Sequence, residues 1–317
     1  MTSELPSHRS GNRFRNPDGP AEHGWREFWR WRRTRRPEPW PESVEHGVSP
    51  SLPVSVAPGE LALTFVNHST FLAQFAGGAL LTDPVWSTRV SPVRFAGPKR
   101  VHPPGVPIGG LPAISAVLVS HNHYDHLDLA TLKRLESAHA PAFLTGLGNR
   151  ALLERAGLAR VFELDWWQTI AIDRMRVTFL PAQHWSARGL FDRNRTLWGG
   201  FLVEADGRTV YFAGDTGYGG LFKTVAERLG PPDVAILPIG ACEPRWFMAP
   251  THMNAADAVR ARSDLGAPRA IAMHFGCFPL ADEGIDTPVA ELTRARAAHG
   301  VAPEQFQVPI PGHTCRL

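Results

Sequence analysis

The chain predicts an α/β fold in which two sheets form a sandwich covered by helices. Three observations carry this. Short apolar runs come in strings, with longer amphipathic stretches set between them, the pattern of sheets with flanking helices. At 317 residues, with 43% hydrophobic and 20% charged side chains, the chain has a globular composition and can bury a large core. Polar residues, histidines above all, recur at the ends of the apolar runs.

An N-terminal arm over residues 1–59 is expected to precede a globular domain over 60–317. Residues 1–20 are polar and rich in Gly and Pro, and read as irregular. The spacing predicts a short helix over 24–36, with Trp25, Phe28 and Trp29 at i, i+3, i+4 among arginines, ended by Pro37, Pro39 and Pro41. Two placements fit it: lying on an anionic membrane, or packing its aromatics on the main domain with the arginines solvated. Strands are expected over Leu61–Val66, Thr70–Phe75 and Ala79–Thr82, with Gly77-Gly78 as a turn. Residues 83–113, rich in Pro, Gly and Arg, read as a long loop, and loops of that length commonly border a site.

Ser115–Val119 has the length and β-branched content of a buried strand. Helices are expected over 127–138, capped by Asp128, and over 149–156, 219–229, 254–265 and 287–299. Strands are expected at 142–145, within 160–180, at 198–204 and 208–213 around an Asp206-Gly207 turn, and at 233–238 and 269–274. Met175–Leu180 alternates apolar and polar side chains. No internal repeat is legible in the spacing.

The organising stretch is the end of the Ser115–Val119 run, Ser120-His121-Asn122-His123-Tyr124-Asp125-His126-Leu127-Asp128. Alternate side chains on an extended or tightly turning backbone point the same way, so His121 and His123 can converge on one point. Asp125 and His126 turn past the strand end to serve a second. Imidazole and carboxylate donors of this kind suit Zn²⁺ or a similar divalent ion. Further polar residues stand at later strand ends: His184, Asp215 within Gly214-Asp215-Thr216-Gly217, His252 and His274. With the first cluster they supply donors for two metal positions.

Charge and targeting signals narrow the classes. The net charge of +3 is uneven: residues 1–40 carry +4 and the remainder −1. The globular domain is therefore not a nucleic-acid surface, and no nucleic-acid partner is expected. No apolar stretch reaches the roughly 18–20 residues that span a bilayer, and the N-terminus lacks a signal-peptide core. A cytoplasmic protein is expected, peripheral on the inner membrane face if residues 24–36 meet lipid. The 3 cysteines, Cys242, Cys277 and Cys315, are too few for a disulfide framework and read as reduced thiols.

His-x-His-x-Asp-His after a buried strand resembles the signature of the metallo-β-lactamase superfamily. That resemblance implies an αββα sandwich of two mixed sheets flanked by helices, with a two-metal site along one edge. Within the superfamily the chain is similar to the N-acylphosphatidylethanolamine-hydrolysing phospholipase D family and its bacterial relatives, from about residue 11 onward. The similarity rests on Arg13-Phe14-Arg15-Asn16-Pro17, His68-Ser69-Thr70, Leu81-Thr82-Asp83-Pro84-Val85-Trp86 and Gly97-Pro98-Lys99-Arg100. It rests also on 121–128, Leu197-Trp198-Gly199-Gly200-Phe201, Pro238-Ile239-Gly240, Glu243-Pro244-Arg245-Trp246-Phe247-Met248 and Met273-His274-Phe275-Gly276. Cys242 stands where an aromatic residue is common, Cys277 where Thr is common and Ala255 where Pro often follows Asn. These departures leave the ligands in place and bear on substrate fit.

Carried over, the resemblance implies that His121, His123 and His184 hold one metal, Asp125, His126 and His274 the other, and that Asp215 bridges them. The expected cofactors are two Zn²⁺, with Mn²⁺ or Fe²⁺ as alternatives. Two such ions, roughly 3.5–4 Å apart, can share a hydroxide and clamp an in-line displacement. The implied reaction is phosphodiester hydrolysis releasing an N-acylethanolamine and phosphatidic acid. Asp125, Asp215 and His252 are the catalytic candidates, His252 through a phosphate oxygen or the leaving alkoxide. Tyr124, Arg245 and His252 are the substrate-binding candidates; packing for Tyr124 and a structural ion pair for Arg245 are the competing readings. His68 and Asp83 are expected to support the ligands from behind. The partner is a phospholipid or a small phosphorylated molecule, and a homodimer is left open. Two alternatives stand beside this one: a soluble phosphorylated-lactone hydrolase like the ascorbate-phosphate lactonases, and a non-catalytic, metal-stabilised binding protein.

Overall fold

The computed structural model describes residues 8–17, 23–45, 52–53, 55–93 and 95–317; residues 1–7, 18–22, 46–51 and 54, all in the expected arm, and residue 94 lie outside it. A two-stranded ribbon, β1 (Arg9–Ser10) and β2 (Arg13–Phe14), precedes helix α1 (Trp25–Thr34). The first half of the sandwich runs β3 (Ala62–Asn67), β4 (Thr70–Phe75), β5 (Gly78–Thr82), β6 (Ala116–Val119), α2 (Leu129–His139), β7 (Ala142–Gly146), α3 (Arg150–Arg155) and β8 (Val161–Leu164). The second runs β9 (Thr169–Ile172), β10 (Met175–Leu180), β11 (Gly200–Ala205), β12 (Arg208–Phe212), α4 (Leu221–Leu229), β13 (Val234–Pro238), α5 (Arg245–Met248), α6 (Ala255–Asp264), β14 (Arg269–Met273), α7 (Thr287–Ala298) and β15 (Phe306–Gln307). The last strand, β16 (Thr314–Arg316), returns to the first sheet and pairs with β3.

Two mixed seven-stranded sheets result, in the orders β16-β3-β4-β5-β6-β7-β8 and β15-β14-β13-β12-β11-β10-β9. In the first, β16, β3, β4 and β5 pair antiparallel, then β5 to β8 pair parallel. In the second, β9 to β12 pair antiparallel and β12 to β15 parallel. The two halves share one topology, a repeat carried by strand order and not by residue spacing.

Strand periodicity explains the layering. In β6, Leu118 enters the core between the sheets, while Val117 and Val119 face α2 and α3 beside Leu132, Leu135 and Leu153. The inter-sheet core gathers Phe65, Phe71 and Leu144 from one sheet and Phe179, Phe201 and Phe212 from the other, all buried. Each such side chain contributes about 1.5–3 kcal/mol on burial. Asp128 caps α2 as its position predicts, accepting from Ala130 N at 3.1 Å and Thr131 N at 3.3 Å.

The sequence reading finds most elements to within two residues and misses the short ones: β1, β2, α5, β15 and β16, each of two to four residues and held by tertiary contacts. Helix α1 also departs from its expected stripe. Trp31 is the anchoring aromatic, stacked on Phe247 with centroids 5.1 Å apart, and Arg35 pairs with Asp282 at 3.0 Å. Trp25 and Trp29 stay 71% and 56% exposed. Among the described residues, no helix is long and apolar enough to cross a membrane.

Candidate metal centre

The strand ends of both sheets meet along one edge, and seven distant side chains gather there. His121 Nε2 lies 2.9 Å from His123 Nδ1, which lies 3.3 Å from His184 Nε2. Asp125 Oδ2 lies 3.3 Å from His126 Nε2 and 3.4 Å from His274 Nε2. Asp215 sits between the two groups. Its Oδ2 is 3.2 Å from both His126 Nε2 and His274 Nε2, 3.8 Å from His184 Nε2 and 3.9 Å from His121 Nε2. Donors bonded tetrahedrally at zinc distances stand roughly 3.3–3.4 Å apart, so the spacing suits the ion.

Local backbone geometry makes the convergence possible. His68, Asp83 and His274 adopt φ of 48°, 32° and 59°, a left-handed region that costs a non-glycine residue free energy and clusters at functional sites. His274 N donates to His68 O at 2.9 Å, tying the ends of β3 and β14 together. Gly214 (φ 59°) precedes Asp215, and a Cβ there would stand 2.8 Å from Ser120 Cβ. A Cβ on Gly240 would collide with the His274 carbonyl.

Partners behind the ligands fix which nitrogen faces the cluster. His126 Nδ1 bonds Asp83 Oδ2 at 2.6 Å and His184 Nδ1 bonds Thr251 O at 3.0 Å, so both present Nε2. His121 Nδ1 bonds Ser120 Oγ at 2.9 Å, and that hydroxyl donates to Asp83 at 2.6 Å. His68 Nε2 reaches Asp125 Oδ2 at 3.2 Å. His68 therefore stands among the possible donors as well as behind them: with Asp125, His126 and His274 its donor atoms fall within 4.8 Å of one another.

The electrostatics fit a divalent ion. Burial pushes His121 and His184 well below the usual imidazole range and His123 to about 4, leaving three neutral donors. Burial also opposes charge on His126 and His274. Around His126 the anions Asp215, Asp125 and Asp83 reverse it and hold the ring protonated well above the usual range. The nearby carboxylates, Asp215 first and then Asp125, raise His274 to about 9. Asp125 and Asp215 stay ionised against burial because of His126 first. Exchanging those two imidazole protons for one dication leaves the net charge unchanged. His126 Nε2, His274 Nε2 and Asp215 Oδ1 are moreover buried without a hydrogen-bond partner, as ligand atoms awaiting an ion would be.

The remaining predicted residues sit around this cluster. His252 is 12% exposed at its edge, its partnerless Nδ1 4.0 Å from Asp215 Oδ2, and burial holds its ring to about 4. Arg245 directs its two terminal nitrogens inward, to His252 O at 2.9 Å and Asp257 Oδ2 at 2.8 Å. Arg245 thus makes an ion pair of the kind its structural reading expects, and also holds the His252 carbonyl. Tyr124 donates its hydroxyl to Arg188 O at 2.9 Å and packs under the Arg188 guanidinium, 4.0 Å from its ring. Cys242, Cys277 and Cys315 are free thiols.

Several contributing residues escape a reading by residue type. Arg188 Nη1 donates to Asn122 O at 2.9 Å and Leu127 O at 2.8 Å, stapling the histidine loop to the segment after His184. Trp185 packs edge-on to His123 with centroids 4.3 Å apart. Asn16, buried in the arm, accepts from His184 N at 2.9 Å and Trp198 Nε1 at 3.1 Å. The only sequence signal for Asn16 is its motif, Arg13-Phe14-Arg15-Asn16-Pro17. Asn16→Ala would leave the His184 amide unsatisfied, a cost of about 1–3 kcal/mol, and is expected to weaken metal affinity about 10-fold. A competition titration with a chromophoric chelator checks this; unchanged affinity would make the arm irrelevant to the centre.

A sandwich of two mixed sheets with a His/Asp cluster along its edge is the architecture of a metal-dependent hydrolase of the metallo-β-lactamase fold. A β-lactamase superfamily domain model matches residues 79–275. An uncharacterized protein of Mycobacterium tuberculosis is 39% identical over 287 residues, 86% of this chain and 76% of that one. The N-acyl-phosphatidylethanolamine-hydrolyzing phospholipase D 1 of Caenorhabditis elegans is 39% identical over 231 residues, 69% of this chain and 65% of that one. Among solved structures, Igni18, a metallo hydrolase from Ignicoccus hospitalis, superposes with a TM-score of 0.61 at 22% identity, over 81% of this chain and 98% of that one. The chain belongs to the metallo-β-lactamase superfamily and, within it, to the family resembling N-acylphosphatidylethanolamine-hydrolysing phospholipase D.

Proposed function

We propose that the protein is a binuclear zinc phosphodiesterase of phospholipase D type, acting on N-acylphosphatidylethanolamine-like lipids. The observation that carries the proposal is the position of Asp215 Oδ2, within 3.9 Å of imidazole nitrogens from both donor groups. His121, His123 and His184 would hold one ion, Asp125, His126 and His274 the other, and Asp215 both. When bound, the ions polarise phosphoryl oxygens and lower the pKa of water from about 15.7 towards 7. Asp125 and Asp215 would orient that water by accepting hydrogen bonds from it. His252, neutral at pH 7 and at the edge of the cluster, donates an N–H to a phosphate oxygen or to the leaving alkoxide. Arg245 fixes the His252 backbone in place, and Tyr124 forms one wall of the approach.

The lipid substrate is supported by similarity to the Caenorhabditis elegans enzyme and to a mitochondrial one of the same name from Saccharomyces cerevisiae, 34% identical over 236 residues. Residues 1–59 act as an arm of the catalytic domain 60–317, and α1, with Trp25 and Trp29 exposed among arginines, gives peripheral membrane contact. Elemental analysis paired with a substrate panel tests the whole reading. About two equivalents of zinc and hydrolysis of N-acylphosphatidylethanolamine, lost on chelation and restored by zinc, are expected. Turnover of phosphorylated lactones alone would make it a soluble lactonase. A fully loaded protein without turnover would make it a binding protein.

A further inference from the structure

We infer that two loop tips outside α1, carrying Val93 and Phe95 on one side and Leu190 and Phe191 on the other, form a docking edge for an anionic phospholipid surface. Phe95, Leu190 and Phe191 are 84%, 83% and 81% exposed, the most of any large hydrophobic side chain among the described residues. Single exposed apolar residues are ordinary, but a set gathered at one opening marks an interaction surface. Val93 of the first tip and Arg188 at the base of the second line one open pocket of about 560 Å³, whose walls also include Arg89, Tyr124 and Lys133. Tyr124 stands between His123 and Asp125, so a lipid surface held there lies beside the metal centre.

The tips are held outward by construction. Asp192 turns its carboxylate onto the backbone N–H groups of Arg188 (3.1 Å) and Gly189 (2.8 Å), closing the turn that carries Leu190 and Phe191. The neighbouring charge selects the partner. Residues 188–195 hold Arg188, Arg193 and Arg195 against that one inward-turned acid, and Arg89 and Lys133 add to the same rim. Apolar tips backed by cations match the acyl boundary and the negative headgroups of an anionic leaflet. A second copy of this chain fits less well, because a two-fold pairing would oppose two basic rims.

The choice of a lipid partner rests on the phospholipase reading, but the test reads binding apart from turnover. The full-length, zinc-loaded protein and its Phe95→Ser/Leu190→Ser/Phe191→Ser variant would be sedimented with vesicles of phosphatidylcholine, with and without phosphatidylglycerol. The wild type is expected to partition onto the phosphatidylglycerol vesicles, less so as salt rises, and the triple variant at least about 10-fold less. Zinc content, melting temperature and turnover of bis(p-nitrophenyl) phosphate should stay unchanged in the variant. No vesicle binding by the wild type, or equal binding by the variant, would overturn the docking edge. So would a dimer that the triple substitution dissociates with no change in vesicle binding, since the occupant is then a second copy. Vesicle binding through these tips without lipid hydrolysis would instead sink the phospholipase reading and leave the edge standing.

Discussion

Asp215→Asn is expected to reduce turnover by about 10³-fold or more and to lower bound metal below wild type, with the fold intact. The amide has nearly the shape of the carboxylate, so the effect is one of charge. Asp215 is 3% exposed and its Oδ2 lies within 4.0 Å of nitrogens on His121, His126, His184, His252 and His274. Removing that anion leaves five imidazoles around a site that must hold cations, in surroundings where charge is poorly screened. Losing one well-placed polar group in a catalytic site commonly costs 10²–10³-fold, and this group serves two donor sets at once. Elemental analysis and turnover at saturating zinc check the prediction. Near wild-type values for both would remove Asp215 from the shared position.

The candidate donors were legible because they stand at or shortly after the ends of apolar runs. Ser115–Val119 reads as a strand from composition alone, and chemistry that follows a strand end lands at the sheet edge. Residues that support the ligands were less so, since their partners are far away in sequence. Asn16 reaches His184 across 168 positions, and nothing in a polar arm marks one asparagine as buried. Arg245 looks free in sequence because Asp257 is twelve residues on and separated by the turn at His252. Helix α1 stays open in sequence for a related reason. Its arginines allow either face to turn outward, and the stacking of Trp31 on Phe247 comes from outside the helix.

The shared topology of the two sheets explains why ligands fall where they do. Strands β3 and β10 hold equivalent places, and His68 and His184 follow them; β5 and β12 are likewise equivalent, and Asp83 and Asp215 follow those. One carboxylate of the second pair stands among the imidazoles, while the other turns away to grip the loop that presents them. At this one pair of strand ends the repeat is thus used asymmetrically: Asp215 stands among the candidate donors, while Asp83 holds the loop that carries four of them.

That asymmetry makes Asp83→Asn the sharpest test of the scaffold. Asp83 is fully buried, and its carboxylate is saturated by Ser120 N at 2.7 Å, Ser120 Oγ at 2.6 Å and His126 Nδ1 at 2.6 Å. All three are donors, so an amide NH₂ in either orientation faces one of them, and the negative charge beside His126 is lost. Breaking a buried charge pair in this way destabilises a fold by about 3–5 kcal/mol. Freeing the rings of His126 and, through Ser120, His121 is expected to weaken zinc affinity about 10–100-fold. The contrast with Asp215→Asn separates the roles. Excess zinc should restore most of kcat in Asp83→Asn, whose ligands are all present but loosely held, and should not restore it in Asp215→Asn. Thermal melts and zinc competition titrations read the two effects independently. If Asp83→Asn binds zinc as tightly as the wild type, the orientation of His126 and His121 is set by the backbone alone, and the left-handed turn at Asp83 serves the fold and not the centre.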